Sequence, residues 1–174
     1  MRIPSWHQLS HDARATKAVM NLWPPYRFAG IRIEKLTGDF RHARVRLGFH
    51  PLTRNYVGTQ FGGSLFSMTD AFWMIMVLRN LGSEFVVWDK RGEIEFLKPG
   101  KGVVRAEFHV TDALLDELRE ATAGGQKVLR WVETAILDEA GDTVAIVRKQ
   151  LYVRRKGERA AREALPQSRS GERR

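Results

Sequence analysis

Between Ser64 and Leu78 a single residue, Asp70, is ionisable, and the stretch around it reads SLFSMTDAFWMIMVL. The apolar run through Leu65, Phe66, Met68, Phe72, Trp73, Ile75 and Leu78 predicts one helix from Gly63 or Ser64 to Leu81, ended by Gly82 and apolar on nearly every face. Such a helix has to be enclosed. A carboxylate about two turns into it lies beyond the free N–H groups of the first turn, so Asp70 is not a cap. It must find donors elsewhere, hold a proton, or open onto a wet cavity, and each of these makes it a candidate acid or base. The plainer use of a half-buried Asp is to accept hydrogen bonds from a neighbouring loop or subunit. Here the helix opens on Phe61-Gly62-Gly63-Ser64, where unbonded N–H groups and the positive dipole end suit a developing oxyanion and glycine admits a carbonyl close to the backbone.

Other reactive residues suggest less. Ser64 and Ser67 lack the strand-turn-helix motif of a nucleophilic serine. His50, before Pro51, could reach Asp70 as an acid/base pair, which would be dehydratase chemistry. His7, His11, His42 and His109 have no regular ligand spacing and there is no cysteine, so no metal site is expected. Asp89, Glu93 and Glu95 read as edge or interface charges on a strand, and Trp73, Met74 and Met76 as core.

The elements that must position Asp70 alternate between the two periodicities. A first helix over residues 10–22 stops at Pro24-Pro25. Strands follow at 31–37 and 42–49; after the long helix come a long or bent strand at 84–97 and another at 103–110. A helix over 112–122 is capped by Thr111 or Asp112, and two strands at 127–137 and 142–153 are joined by DEAGD. The short connections favour antiparallel pairing. This order predicts an α+β fold, one antiparallel sheet curled round the long helix.

With 174 residues, one domain is expected. The absence of cysteine excludes disulfides and suits a reducing, cytoplasmic setting; the first twenty residues lack the apolar core of a signal peptide, and Asp70, Arg79 and Asn80 interrupt the one long apolar stretch, so no membrane span is expected. The formal charge is +9, but residues 154–174 hold eight Arg/Lys and three Glu, leaving about +4 on the body. Three segments follow: an N-terminal helical segment 1–27, a folded domain 28–153 and a basic tail 154–174 expected to be disordered. The charge therefore does not argue for a nucleic acid partner, and a role of the tail toward RNA or membranes ranks last.

NYVGTQFGGSLFSMTDAFWMIMVLRNLG followed by VVWDKRGEIEFLKPG resembles the hotdog-fold thioesterase superfamily, and within it the DUF4442 group, which is similar to the thioesterase-like domain attached to some acetyltransferases. The likeness runs from Asn21 to Val153 and is sharpest from Asn55 to Asp70. It implies hydrolysis of an acyl-CoA or acyl-carrier-protein thioester in fatty acid metabolism, without cofactor or metal, by a homodimer or homotetramer with active sites shared between subunits. On the superfamily's pattern of Asn, a short gap, His-Gly-Gly and a helical acid, Asp70 matches the catalytic carboxylate, Asn55 the loop Asn, and Gly62 and Gly63 the glycines. Phe61 stands where His is frequent, so stabilisation of the oxyanion would rest on the Gly63 and Ser64 N–H groups, assisted by Asn55 or Gln60. Asp70 would activate a water or attack directly. The substitution of Phe61 also suits a non-catalytic acyl-thioester-binding module. Arg54, Lys90, Arg91, Lys98 and Lys101 are candidates for the phosphates of coenzyme A.

Overall fold

The computed structural model describes residues 12–157. His7, His11 and the tail beyond residue 157, with the disorder expected there, lie outside the described residues. Helix α1 (Ala13–Leu22) is capped by Asp12, which accepts the Arg14 N–H at 2.8 Å. α1 ends before Pro24-Pro25, as expected, and these prolines open a second helix, α2 (Pro24–Ala29). The reason is that the first helical positions have no intrahelical N–H bond for proline to break. α1 is fastened to the sheet by Asn21, whose amide accepts from Ile33 N at 2.7 Å and donates to Ile33 O at 3.2 Å.

The strands are β1 (Ile31–Leu36), β2 (His42–Leu47), β3 (Phe85–Phe96), β4 (Val104–His109), β5 (Lys127–Asp138) and β6 (Thr143–Arg155). They form one antiparallel sheet in the order β1-β2-β4-β5-β6-β3. Arg154 and Arg155 belong to β6, paired with Val86 and Phe85, so the strand continues past the expected start of the tail. Alternation explains the layering: Val45, Leu47, Ala106, Phe108, Ile136, Val147 and Leu151 point to one face and are buried. Against that face lie α3 (Gly62–Ser67) and α4 (Phe72–Leu81), and α5 (Asp112–Ala121) follows β4. The result is the hotdog fold: an antiparallel sheet packed on a long helical segment.

Phe108 joins the layers, stacking on Phe72 with centroids 4.9 Å apart and meeting the edge of Trp73 at 5.9 Å. Trp73 also donates its indole N–H to the Thr134 hydroxyl on β5 at 2.8 Å, both residues being buried. Thr134→Val keeps the shape but strands that N–H, and should cost about 1–3 kcal/mol in a urea titration. Adding Trp73→Phe should recover part of the loss; strictly additive losses would show that the bond contributes nothing.

Candidate active site

The expected single helix from Ser64 to Leu81 is interrupted between α3 and α4, and Asp70 sits in the interruption. Thr69 N–H donates to Phe66 O at 3.1 Å and Asp70 N–H to Ser67 O at 3.2 Å, both one residue shorter than the α-helical ladder. The Thr69 hydroxyl takes the same Phe66 carbonyl at 2.7 Å, a local bond that competes with helical pairing. Met68 and Thr69 turn inward while the Asp70 side chain emerges 60% exposed. Asp70 is therefore not enclosed, because within this chain the sheet covers one side of the helical layer only.

Its partner is Lys149 on β6, whose ammonium group donates to Asp70 Oδ1. Lys149 is only 3% exposed. Its Nζ also lies 3.7 Å from Asp89 Oδ2 on β3 and 4.5 Å from the centre of the Phe66 ring. Asp89 thus points inward to a cation and is not the edge charge expected; a bulge between Asp89 and Arg91 shifts the strand register there. Burial pushes the Asp89 carboxyl up, Lys149 opposes this, and Asp70 adds to it. Tyr26 of α2 also feels Asp70: burial and the Asp70 charge raise its phenol.

Glycines let α3 lie close on β3. A Cβ on Gly62 would stand 2.8 Å from the Phe96 ring, and one on Gly92 would stand 2.5 Å from the Phe66 ring. Gly62 and Phe66, one turn apart on α3, face β3, which among the described residues pairs with β6 alone and ends the sheet, and Asp70 meets Lys149 on that neighbouring β6. Asp70 therefore lies toward an open sheet edge.

The loop residues take other roles. Asn55 donates to the Thr59 hydroxyl at 2.8 Å and accepts Thr59 N–H at 2.9 Å, so its amide closes its own loop. Gln60 is buried, and its amide nitrogen donates to the carbonyls of Gly48 and Gly102 at 3.0 and 2.9 Å. Ser64 N–H donates to Phe61 O at 2.9 Å, so it is not a free oxyanion donor; the Gly62 and Gly63 N–H groups precede the first bond of α3. The exposed Phe61 ring leans on Gly63, with 2.4 Å between its edge and a Cβ built there. His50 accepts Leu52 N–H at 3.2 Å and caps the short turn Pro51–Thr53; no hydrogen bond joins it to Asp70 among the described residues. Of the basic candidates, Lys98 is held by Asp138 and Asp142 at 2.7 Å each, and the Arg54 guanidinium lies over the Phe49 ring at 4.0 Å.

Sequence spacing gave no sign that His42 and His109 meet. Cross-strand register stacks their rings 4.3 Å apart, with Glu107 2.8 Å from His42 Nε2 and 3.4 Å from His109 Nε2. The three could approach one cation, their ligand atoms lying within 4.8 Å of one another. However, the ring planes are 14° apart, which directs their lone pairs side by side and not onto one point, and Arg44 already pairs with Glu107 at 2.7 Å. Sequence reasoning also missed Lys149, although a signal exists: β6 buries Val147, Leu151 and Val153, and Lys149 shares their parity.

The antiparallel sheet packed on one helical layer, with an acid at the helix interruption, defines a hotdog-fold protein. The chain belongs to the family described as a domain of unknown function (DUF4442), whose model matches residues 12–153. It is similar in structure to PA5026 of Pseudomonas aeruginosa, a protein of unknown function described as a probable thioesterase, with a TM-score of 0.71, 21% identity, and coverage of 89% of this chain and 98% of that one. Thioesterase HI1161 of Haemophilus influenzae gives a TM-score of 0.57 at 13% identity over 88% and 93% of the two chains. The E. coli PaaI protein, from the phenylacetic acid degradation operon, gives 0.54 at 19% over 86% and 96%. At these identities the likenesses carry the fold. No curated protein matches the chain in sequence. No helix among the described residues is long and apolar enough to cross a membrane.

Proposed function

We propose that the protein hydrolyses acyl thioesters, of coenzyme A or acyl carrier protein, with Asp70 as general base. The observation that carries this reading is a carboxylate exposed at a helix interruption, beside the free edge of the sheet, with one oxygen held by a buried ammonium group. The other oxygen is left for reactants. Asp70 accepts a proton from water as the water oxygen bonds to the thioester carbon; the C–S bond then breaks, and the thiolate leaves with that proton, giving a carboxylic acid and a thiol. Gly63 N–H is the proposed donor to the oxyanion, with Gly62 letting the carbonyl approach.

Gly63 lies in the first turn of α3 and Asp70 beyond its last, and the site we propose joins Asp70 of one protomer to Gly63 of its partner. Support comes from β3, a 12-residue strand with one side unpaired, and from exposed Phe96, Leu97 and Phe61 near it. Sedimentation should give twice the chain mass of 19.9 kDa, or a higher even multiple; a monomer that turns over thioesters would rule out the shared site.

A second reading, a non-catalytic acyl-thioester-binding module, is favoured by the Phe61 ring lying over Gly63 and by the use of Asn55 within its own loop. A panel of acyl-CoA and acyl-carrier-protein substrates with a thiol-detecting dye separates the two. Thiol release above background supports the hydrolase. Saturable binding with no release selects the module.

A further inference from the structure

We infer that Lys149 is the positioning residue for Asp70: it fixes the carboxylate through one oxygen and supplies the charge that keeps it in place. For the reaction, this role rests on the hydrolase reading above; the contact itself does not.

Lys149 occupies an inward position of β6 where Val147, Leu151 and Val153 are apolar and at most 1% exposed. A lysine there is costly unless it is paired, and truncating either partner leaves a buried charge alone. The surroundings are built for it. Asp70 and Asp89 lie within 4 Å of its Nζ, the Phe66 ring covers the ammonium, and Gly92 leaves room for both: a Cβ there would stand 3.3 Å from Lys149 Cδ as well as striking Phe66. Asp70 depends on Lys149 in turn. It follows a turn with no α-helical pairing, and its side chain has no other hydrogen bond among the described residues. Without the ammonium group the carboxylate would sample several rotamers. The cluster therefore converts an exposed acid into an oriented one, the kind of positional control on which reaction rates depend steeply. Asp89 of β3 adds a second, longer contact, its Oδ2 lying 3.7 Å from the same ammonium group.

Because the protein contains no cysteine, Lys149→Cys introduces a single thiol. Alkylating the unfolded variant with 2-bromoethylamine and refolding it restores an ammonium group at the length of the lysine side chain; iodoacetamide gives a neutral amide of similar reach. With wild type as the standard, the amide form should lose about 10- to 100-fold in kcat with KM within about threefold, as expected when a reacting group loses its orientation. The ammonium form should return to within a few-fold of wild type. Equal kcat for the two forms, both folded by circular dichroism, would overturn the role. A second measurement does not depend on turnover: urea midpoints of Lys149→Met, Asp70→Ala and the double variant. Coupled losses support the contact, with Asp70→Ala harmless once Lys149 is gone; additive losses overturn it. If wild type hydrolyses no thioester, the proposed reaction fails while this cycle still decides the contact.

Discussion

Asp70→Asn should lower kcat/KM for whichever acyl thioester the protein hydrolyses by about 10²- to 10⁴-fold, with KM little changed. That is the range for removing a general base that acts in the transition state alone. The substitution is close to isosteric, and the amide oxygen can still accept from Lys149, so the helix interruption and the binding surface should persist. What disappears is the capacity to take a proton from water. Stopped assays with the thiol-detecting dye would measure the loss directly, and binding of a non-hydrolysable thioether analogue would show that recognition survives. Equal rates for variant and wild type would remove Asp70 from the mechanism and leave the fold without a candidate base.

The largest effect on stability is expected at Phe108. Phe108→Ala removes a ring that is fully buried, stacks on Phe72 and meets Trp73 at its edge, at the junction of β4 with α4. Large-to-small changes of this kind cost about 3–5 kcal/mol, lost transfer energy and residual cavity together. Domains have total stabilities of about 5–15 kcal/mol, so this one ring accounts for a large share. For a chain of this size Tm should fall by roughly 6–20 °C. Phe28→Ala, which deletes a largely exposed ring of α2, is the matched control and should stay within about 0.5 kcal/mol. Equal losses at the two positions in a denaturant titration would mean that the sheet-to-helix contact is not where the core energy lies.

Most elements are legible in the chain because each is decided by local spacing. β2 and β6 alternate, α5 carries a threonine cap before an amphipathic turn, and the run after Gly63 is apolar but for a few small polar residues and Asp70. The broken helix is different. Side-chain pattern favours continuity through Met68–Ala71, while the Thr69 hydroxyl and two short backbone turns decide otherwise, and neither competes visibly in a hydrophobic profile. Pro24 is a similar case, since the same residue stops a helix from within and starts one at its first turn.

For the candidate site, the chain by itself singled out Asp70, because one charge in an apolar run needs a reason wherever it lies. It also placed Gly62 and Gly63 at a helix start. What it could not supply was the partner: Lys149 is 79 residues away, and the pairing of Gly92 with Lys149 across β3 and β6 is what brings it beneath Phe66 and against Asp70. The same holds for Asn55 and Gln60, whose amides were free to serve a substrate until the loop closed on them, and for His42 and His109, which only strand register makes neighbours. Residue types and local periods are properties of the chain. The pairing of charges and the spending of hydrogen-bond donors are settled by contacts between distant segments, which come into being only when the sheet assembles.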